Sequence, residues 1–169
     1  MVRVKKEVLY KLSYPVLIFL LVVLDLFSKD YAANNFLFAQ SYSTFIPFID
    51  FLLIYNSGIA FGIFDGYGNL ASNLLLVITI FILIYLIRLL VKEKVQIAKF
   101  ALSLITAGAL GNIIDRFIDG KVTDFLHLEF GSFSFFIFNL ADAFITLGAI
   151  LIIYFELIYK AKQWLNRLN

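Results

Sequence analysis

The alternation of apolar and polar stretches along the chain predicts its main structural elements. Four mostly apolar stretches run over about residues 13–27, 70–90, 98–114 and 138–159. A helix that crosses the hydrocarbon core of a bilayer needs roughly 20 mostly apolar residues. The pattern therefore predicts four membrane-spanning helices, of which the first is the shortest, within a single domain covering residues 1–169.

The first apolar stretch has an alternative interpretation, because basic residues between positions 3 and 6 precede it, as in a secretory signal. The sequence Tyr-Ala-Ala at 31–33 is a poor cleavage site, and Asp25 and Lys29 follow closely on the apolar run. These features favour a membrane span that is retained in the mature protein.

Two further segments, 30–69 and 119–137, favour short strands rather than additional spans. In the first, the apolar run from Phe45 to Tyr55 is too short to cross a bilayer. In the second, polar and apolar residues alternate from 132 to 137, which is the period of a strand. Strands in hydrocarbon must pair, because their backbone groups need hydrogen-bond partners. The sequence therefore predicts an all-α membrane protein that carries a few short strands at the membrane surface.

The composition agrees with a membrane environment and excludes some chemistry. Hydrophobic residues make up 62% of the 169 residues and charged residues only 15%, whereas soluble domains are nearer half apolar and about a quarter charged. There is no cysteine, so disulfides, thiolate catalysis and cysteine metal clusters are excluded. The one histidine, His127, argues against a His-rich metal site, and we expect it to be solvated or interfacial.

The basic residues predict the orientation of the chain in the membrane. Of the 14 Lys and Arg residues, three lie in or beside the two strand segments, namely Lys29, Arg116 and Lys121. Loops rich in Lys and Arg stay in the cytoplasm, so both termini are expected there and the strand segments outside. The basic residues on the expected cytoplasmic side are Arg3, Lys5, Lys6, Lys11, Arg88, Lys92, Lys94, Lys99, Lys160, Lys162 and Arg167.

Two aspartates lie in matching contexts at the ends of apolar stretches. Asn112 and Asp115 end the third stretch, and Asn139-Leu-Ala-Asp142 begins the fourth with the same spacing. Residues three apart lie on one face of a helix. Counted along the helix from the cytoplasmic boundary, Asp115 lies at about 24 Å and Asp142 at about 27 Å. Both aspartates are therefore expected just beneath the outer surface of a hydrocarbon core about 30 Å thick. Because consecutive antiparallel helices pack as neighbours, we expect the two carboxyls to meet.

Two neighbouring carboxyls can act as a general acid and a general base. They cannot both ionise easily, so one keeps a proton. The ionised partner can take a proton from water while the other polarises a peptide carbonyl, and no metal or other cofactor is needed. The helix dipoles favour the proton on Asp115, at a helix C-terminus, and the base role for Asp142, near a helix N-terminus. Arg116 opposes this assignment, since it favours an ionised Asp115.

The remaining polar residues favour structural roles. Asp25 and Lys29 are four apart and can form a helical ion pair, so structural support is favoured over the alternative of a direct contact to substrate. Asp124 can cap a strand or helix, or pair with Arg116. The segment Asn56–Gly58 is either a simple turn or a contact to a substrate backbone, and both interpretations stay open.

Five short segments follow one another along the chain: Asp25-Leu-Phe-Ser28-Lys29, Asn56-Ser-Gly58-Ile-Ala60-Phe61-Gly62, Gly111-Asn112-Ile-Ile-Asp115-Arg116, Val122-Thr-Asp124-Phe125 and Phe138-Asn139-Leu-Ala141-Asp142. In this order, they resemble the five sequence boxes of the lipoprotein signal peptidase family, signal peptidase II. Together they span residues 25–142, and five boxes in order are much more specific than one. The second box departs from the family pattern at Ile59, where alanine is usual.

The resemblance implies an aspartic protease of the bacterial cytoplasmic membrane with its active site at the outer face. Its substrate would be a prolipoprotein that carries diacylglycerol on a cysteine, cut just before that cysteine. Membrane lipid would surround the protein, and no nucleic acid is implied as a partner. The antibiotic globomycin would inhibit the enzyme. The segment 30–69 would form the family's β-cradle. The implied roles are catalysis for Asp115 and Asp142, substrate binding or orientation for Asn56, Gly58, Asn112, Arg116 and Asn139, and structural support for Asp25, Lys29, Asp124 and Ala141.

Two other classes of function use the same residues differently. A small proton-coupled transporter could use the aspartates, but transporter sites usually lie near the bilayer midplane, often between inverted repeats, and the sequence has no repeat. A non-catalytic scaffold could use them as hydrogen bonds between helices. A peptidase would lose activity on Asp115→Asn or Asp142→Asn, whereas a scaffold would tolerate either change.

Overall fold

The computed structural model describes residues 2–58, 68–131 and 133–168 of the chain. The part of the second box from Ile59 to Gly62 lies outside these residues. The helices are α1 (Val2–Asn35), α2 (Gly68–Lys92), α3 (Gln96–Asp119) and α4 (Leu140–Leu168), and the strands are β1 (Ser41–Tyr42), β2 (Ile49–Asn56), β3 (Val122–Phe130) and β4 (Phe133–Phe138).

Helices occur where the four apolar stretches predicted them, and three of them are long and apolar enough to cross a membrane. These three segments are Ser72–Lys92, Gln96–Asp119 and Leu140–Ile158 within the described residues. The first helix is not among them, and three charged residues between 25 and 30 interrupt its apolar stretch. The predicted range 13–27 was too short for this helix, because α1 has 34 residues and continues well past the apolar run.

Helix α3 is central and packs against α1, α2 and α4, most extensively against α4. A Cβ atom on Gly108 would lie 2.2 Å from the carbonyl oxygen of Ala141, and one on Gly148 would lie 2.6 Å from that of Ala101. Small residues at a helix interface let the two backbones approach closely. The first turn of α4, which contains Ala141, is therefore held tightly against α3.

The outer faces of the helices are covered by large apolar side chains. Phe19 is 65% exposed, Phe81 is 67% exposed and Ile150 is 57% exposed. Soluble monomers rarely expose contiguous apolar surface on this scale. Several charged side chains are buried instead, among them Asp25 and Lys29. Apolar side chains facing outward and charged side chains facing inward are the arrangement expected in lipid.

The strands form one antiparallel sheet in the order β1-β2-β3-β4. Between β2 and β3, Asn56 lies opposite Val122 and Ile54 lies opposite Asp124. The segment predicted from its alternating polar and apolar residues, 132–137, forms β4. The first residue of that predicted segment, 132, lies outside the described residues. β4 pairs with β3, with Phe138 opposite Leu126. Because β2 and β4 both end beside the first half of β3, residues from all three strands meet there.

A small apolar cluster attaches the sheet to the end of α1. Ala32 from α1, Leu53 from β2 and Phe125 from β3 are buried together. The rings of Phe36 and Phe51 pack against this cluster and stack on each other with centroids 4.9 Å apart. Burial of these side chains stabilises the position of β2 and β3 relative to the helices.

His127 lies in β3 and is only 6% exposed. Of the two predicted alternatives, a solvated residue was therefore wrong, and an interfacial residue stays a prediction. Its Nε2 atom lies 2.7 Å from Ser134 Oγ in β4, and its Nδ1 atom lies 3.5 Å from Glu129 Oε2. β3 is an interior strand of the sheet, so its neighbours on both sides cover side chains that a single exposed strand would leave in solvent.

Candidate active site

Asn139 and Asp142 form a reciprocal cap at the beginning of α4. The backbone N–H of Asp142 donates to Asn139 Oδ1 at 3.0 Å, and the backbone N–H of Asn139 donates to Asp142 Oδ2 at 3.3 Å. This is the geometry of a capping box, which satisfies N–H groups left free at a helix N-terminus. The cap explains why α4 begins at Leu140 rather than at 138 as predicted. It also fixes the carboxyl of Asp142 in the first turn.

Asn112 of α3 supplies a second donor to Asp142. Its Nδ2 atom donates to Asp142 Oδ1 at 2.8 Å. The Asp142 carboxyl therefore accepts one hydrogen bond at each oxygen and lies where the helix dipole favours negative charge. These hydrogen bonds hold the carboxyl of Asp142 in one orientation.

Asp124 of β3 lies in a different environment, 4% exposed and held by two amides. Asn139 Nδ2 donates to its Oδ1 at 2.6 Å, and Asn56 Nδ2 donates to its Oδ2 at 3.1 Å. Burial raises the pKa of Asp124 from 3.8 to about 7; the nearby Asp142 carboxylate also raises it, and the two amide hydrogen bonds oppose the change. A large fraction of Asp124 is therefore protonated at neutral pH, which is the property required of a general acid.

Asp124 and Asp142 open into the same cavity, which has a volume of about 450 Å³. Asn139 lies between them and is completely buried. One side of the cavity is polar and the other is formed by apolar side chains from α2, β3 and β4. The other described lining residues are Asn56, Gly58, Leu75, Asn112, Arg116, Val122, Phe136, Ile137 and Phe138.

Asp115 is not among the described residues that line this cavity. It is 7% exposed, and its Oδ2 accepts a hydrogen bond of 2.7 Å from the backbone N–H of Thr123. The same oxygen lies 3.5 Å from Lys29 Nζ. The described contacts connect Asp115 to Asp142 through Lys29 and Asn112.

The predicted ion pair between Asp25 and Lys29 is confirmed, with a distance of 2.8 Å from Lys29 Nζ to Asp25 Oδ2. The other oxygen of Asp25 accepts a hydrogen bond of 2.8 Å from the backbone N–H of Ala141 in the first turn of α4. A Cβ atom on Gly111 would lie 2.4 Å from Asp25 Oδ2, so glycine leaves the space that this carboxyl occupies. Asp25 therefore connects α1 to the beginning of α4.

The turn predicted at Asn56–Gly58 is present, because the backbone N–H of Gly58 donates to Asn56 Oδ1 at 3.1 Å. Arg116 donates from one of its terminal nitrogens to the carbonyl oxygen of Gly58 at 3.2 Å. Arg116 also lines the cavity, and its buried Nε atom has no hydrogen-bond partner within the described residues. The alternative pairing of Arg116 with Asp124 is not formed; among the described residues Asp124 is hydrogen-bonded to amides instead.

Four helices, three of them long and apolar enough to cross a membrane, and two carboxyls in one cavity are the features expected of a membrane aspartic peptidase. Residues 17–158 match the family model described as signal peptidase (SPase) II, in the A8 group of peptidases. The chain belongs to the signal peptidase II family.

Relatives of known name support this membership. The chain is 37% identical over 149 residues to a lipoprotein signal peptidase of Rickettsia africae (strain ESF-5), covering 87% of this chain and 73% of the relative. It is 32% identical over 154 residues to a lipoprotein signal peptidase of Neisseria meningitidis serogroup C / serotype 2a, and the match covers 90% of this chain and 93% of the relative.

Solved structures are also similar along most of the chain. One, described as a bacterial membrane enzyme structure by the in meso method at 2.3 Å resolution, gives a TM-score of 0.79 at 32% identity and covers 89% of this chain and 90% of that one. A second, described in the same words at 1.9 Å resolution, gives a TM-score of 0.73 at 33% identity.

Proposed function

We propose that the chain acts as a lipoprotein signal peptidase. It removes the signal peptide from a prolipoprotein that carries diacylglycerol on a cysteine, and it cuts just before that cysteine. The observation that carries the proposal is the shared cavity of Asp124 and Asp142, whose carboxyls have different electrostatic surroundings. The family and the names of the relatives support the reaction and the class of substrate.

Asp142 is the general base in this proposal. Hydrogen bonds from Asn112 and from the backbone of Asn139 hold its carboxyl at the N-terminus of α4, where the helix dipole favours negative charge. Its carboxylate takes a proton from a water molecule, and the oxygen of that water attacks the carbonyl carbon of the scissile peptide bond.

Asp124 is the general acid. Its proton passes to the carbonyl oxygen while the new C–O bond forms, which yields a neutral tetrahedral intermediate. When the C–N bond breaks, Asp142 gives its proton to the leaving nitrogen and Asp124 takes its proton back from a hydroxyl of the intermediate. Both carboxyls return to their starting states, and the atoms of the water end on the two products.

Asp115 is the acid partner that the sequence predicted, and the contacts favour a positioning role for it instead. One of its oxygens is occupied by Thr123 and Lys29, and the cavity contains Asp124. Asp115→Asn and Asp124→Asn separate the two assignments. We expect Asp124→Asn to lower kcat by about 10²–10⁴-fold and Asp115→Asn to lower it much less; the reverse result would restore Asp115 as the acid.

Arg116, Asn56 and Gly58 are the residues that we propose to hold the substrate backbone. Arg116 lies in the cavity with a buried Nε donor that lacks a protein partner. A carbonyl oxygen of an extended peptide would satisfy this donor, since leaving it unpaired costs free energy. The apolar side of the cavity, which includes Leu75 and Phe136, suits the uncharged residues of a signal peptide near its cleavage site.

We further propose that the whole chain is one membrane-embedded unit with four spans. α1 is the fourth span, because its Asp25–Lys29 pair is compensated inside the protein rather than exposed to lipid. The distribution of Lys and Arg supports cytoplasmic termini in the bacterial inner membrane, with the sheet as the outer cradle. Globomycin would then bind at the same cavity and compete with substrate.

The test is cleavage of a purified diacylglyceryl-modified precursor by the full chain in lipid, with the unmodified precursor as the control substrate. We expect cleavage of the lipidated form alone, inhibition by globomycin, and loss of activity on Asp142→Asn. Equal cleavage of the unmodified precursor would contradict the proposed substrate. Normal cleavage by the Asp142→Asn variant would contradict the mechanism.

A further inference from the structure

Lys29 is a buried cation that the proposed reaction does not use directly. Its side chain is 3% exposed. Its Nζ atom lies 2.8 Å from Asp25 Oδ2, 2.8 Å from Asn112 Oδ1 and 3.5 Å from Asp115 Oδ2. An ammonium group has three protons to donate and no lone pair to accept with. Each of its three neighbours must therefore present an oxygen.

The contact from Lys29 determines how the amide of Asn112 is turned. Asn112 Oδ1 faces the ammonium, so Nδ2 faces the opposite way and donates to Asp142 Oδ1 at 2.8 Å. If the amide were flipped, its NH₂ group would face the ammonium and its oxygen would face the carboxylate of Asp142. Both contacts would then be repulsive, because donor would face donor and acceptor would face acceptor.

We propose that Lys29 is a positioning residue of the peptidase. By holding Asn112 in one orientation, Lys29 maintains the hydrogen bond from Asn112 Nδ2 to the Asp142 carboxylate, which the proposed base uses. This inference rests on the proposed function and extends it to a relay of three residues, Lys29, Asn112 and Asp142, which runs from α1 through α3 to α4. Without Lys29 the amide can flip, and its oxygen then stabilises a protonated Asp142.

The charged groups around the relay stay the same in Lys29→Met and Asn112→Leu, the two variants that break it. Asp124 from β3 interacts electrostatically with Asp142, and Arg116 from α3 interacts with both carboxyls. Asp25 from α1 and Asp115 from α3 face Lys29. The lining residue from α2, Leu75, is uncharged. Lys29 also acts electrostatically on Asp124. A movement that Lys29→Met shares with Asn112→Leu, which keeps the ammonium, is therefore attributable to the amide of Asn112.

The experiment measures kcat against pH for full-length Lys29→Met and Asn112→Leu in lipid, with a diacylglyceryl-modified precursor. In each variant the acid limb of the profile should move to higher pH by about one unit, the usual size of one lost hydrogen bond or opposite charge. The double variant should show no larger movement than either single variant, because both changes break the same relay. Unmoved acid limbs, or movements that add, would overturn the inference.

Asp25→Asn is the matched control, because it removes a carboxylate beside Lys29 and leaves the contact from Lys29 to Asn112. It should lower the Tm and leave the acid limb in place, whereas a purely structural role of Lys29 predicts that Lys29→Met behaves in the same way. If Lys29→Met does not fold, Asn112→Leu and the charge-conserving Lys29→Arg decide the matter: the first should move the limb and the second should not. A wild-type chain that fails to cleave the lipidated precursor would instead contradict the proposed function itself.

Discussion

Asp124 and Asp142 are connected by one side chain, that of Asn139. The amide nitrogen of Asn139 donates to Asp124 at 2.6 Å, and its amide oxygen accepts the backbone N–H of Asp142 at 3.0 Å. Both atoms of a single amide are thus used, one for a carboxyl in the sheet and one for the first turn of α4. A shift of either element would change the distance between the two carboxyls.

Asn139→Ala and Asn139→Ser separate the two uses of this amide. Serine can still cap α4 but cannot reach Asp124, whereas alanine does neither. We expect Asn139→Ala to cost about 1 kcal/mol of stability from the lost cap, and Asn139→Ser to recover most of it. Both should lower kcat by about tenfold or more, since a buried hydrogen bond to a carboxyl is worth about 1.5–3 kcal/mol. Wild-type kcat in Asn139→Ser would contradict the proposed role.

The raised pKa of Asp124, about 7, predicts the alkaline side of the activity profile. A general acid must hold its proton, so kcat should fall as pH rises above about 7. The measurement is kcat with saturating lipidated precursor between pH 6 and 9, compared with the Asn56→Ala variant. That variant loses an amide donor that favours the ionised carboxyl, so its alkaline limb should move to higher pH. Constant activity across this range would contradict the acid role of Asp124.

The same pKa predicts how stability depends on pH. The folded pKa of Asp124 lies above its unfolded value, so the folded state binds more protons between pH 3.8 and about 7. Stability from this group is complete below about pH 4 and is lost as pH rises through 7, by up to about 4 kcal/mol. The Asp124→Asn variant has no titratable group at position 124, so the Tm of this variant should depend less on pH between about 4 and 7 than the Tm of the wild type. Parallel Tm curves for wild type and variant would exclude the raised pKa.

Much of the fold was predictable from the sequence because it follows from local patterns. Long apolar runs predicted the helices, and the alternation after 131 predicted β4. The extent of α1 was not predictable from hydrophobicity, since this helix continues through charged residues that are compensated in three dimensions. Lys29, for example, has Asn112 as a partner 83 positions away in the chain.

The candidate site was only partly predictable for the same reason. Asp142 and Asn112 could be grouped because both lie near the ends of neighbouring helices. The acid role that we propose for Asp124 was not among the sequence predictions, because it depends on the packing of β3 against Asn56 and Asn139, which are 68 and 15 positions away. One signal was available: Val122 and Asp124 are two apart on a strand, so they share a face, and a carboxyl on an otherwise apolar face needs a partner.

Close packing of α3 on α4 predicts different effects for two glycines. Gly108→Ala would place its Cβ 2.2 Å from the carbonyl oxygen of Ala141, one residue before Asp142. Gly148→Ala meets Ala101 at 2.6 Å, farther along α4 from the cavity. Both variants should lower the Tm, because overpacking typically costs about 1–3 kcal/mol. Only Gly108→Ala should also lower kcat in the protein that remains folded. If the two variants have equal kcat values, the packing at Gly108 does not determine the position of Asp142, and the prediction is wrong.

The proposed orientation can be tested directly because the chain contains no cysteine. A single Phe45→Cys lies on the sheet side, where the native side chain is 97% exposed, and a single Lys94→Cys lies in the link between α2 and α3. With cytoplasmic termini, a membrane-impermeant maleimide added to intact spheroplasts should label Phe45→Cys and leave Lys94→Cys unlabelled until the membrane is opened. Lipid-anchored precursors have their cleavage sites near the outer leaflet, so the cavity beside the sheet must lie on that side. The opposite labelling pattern would place Asp124 and Asp142 at the cytoplasmic face and contradict the proposed substrate.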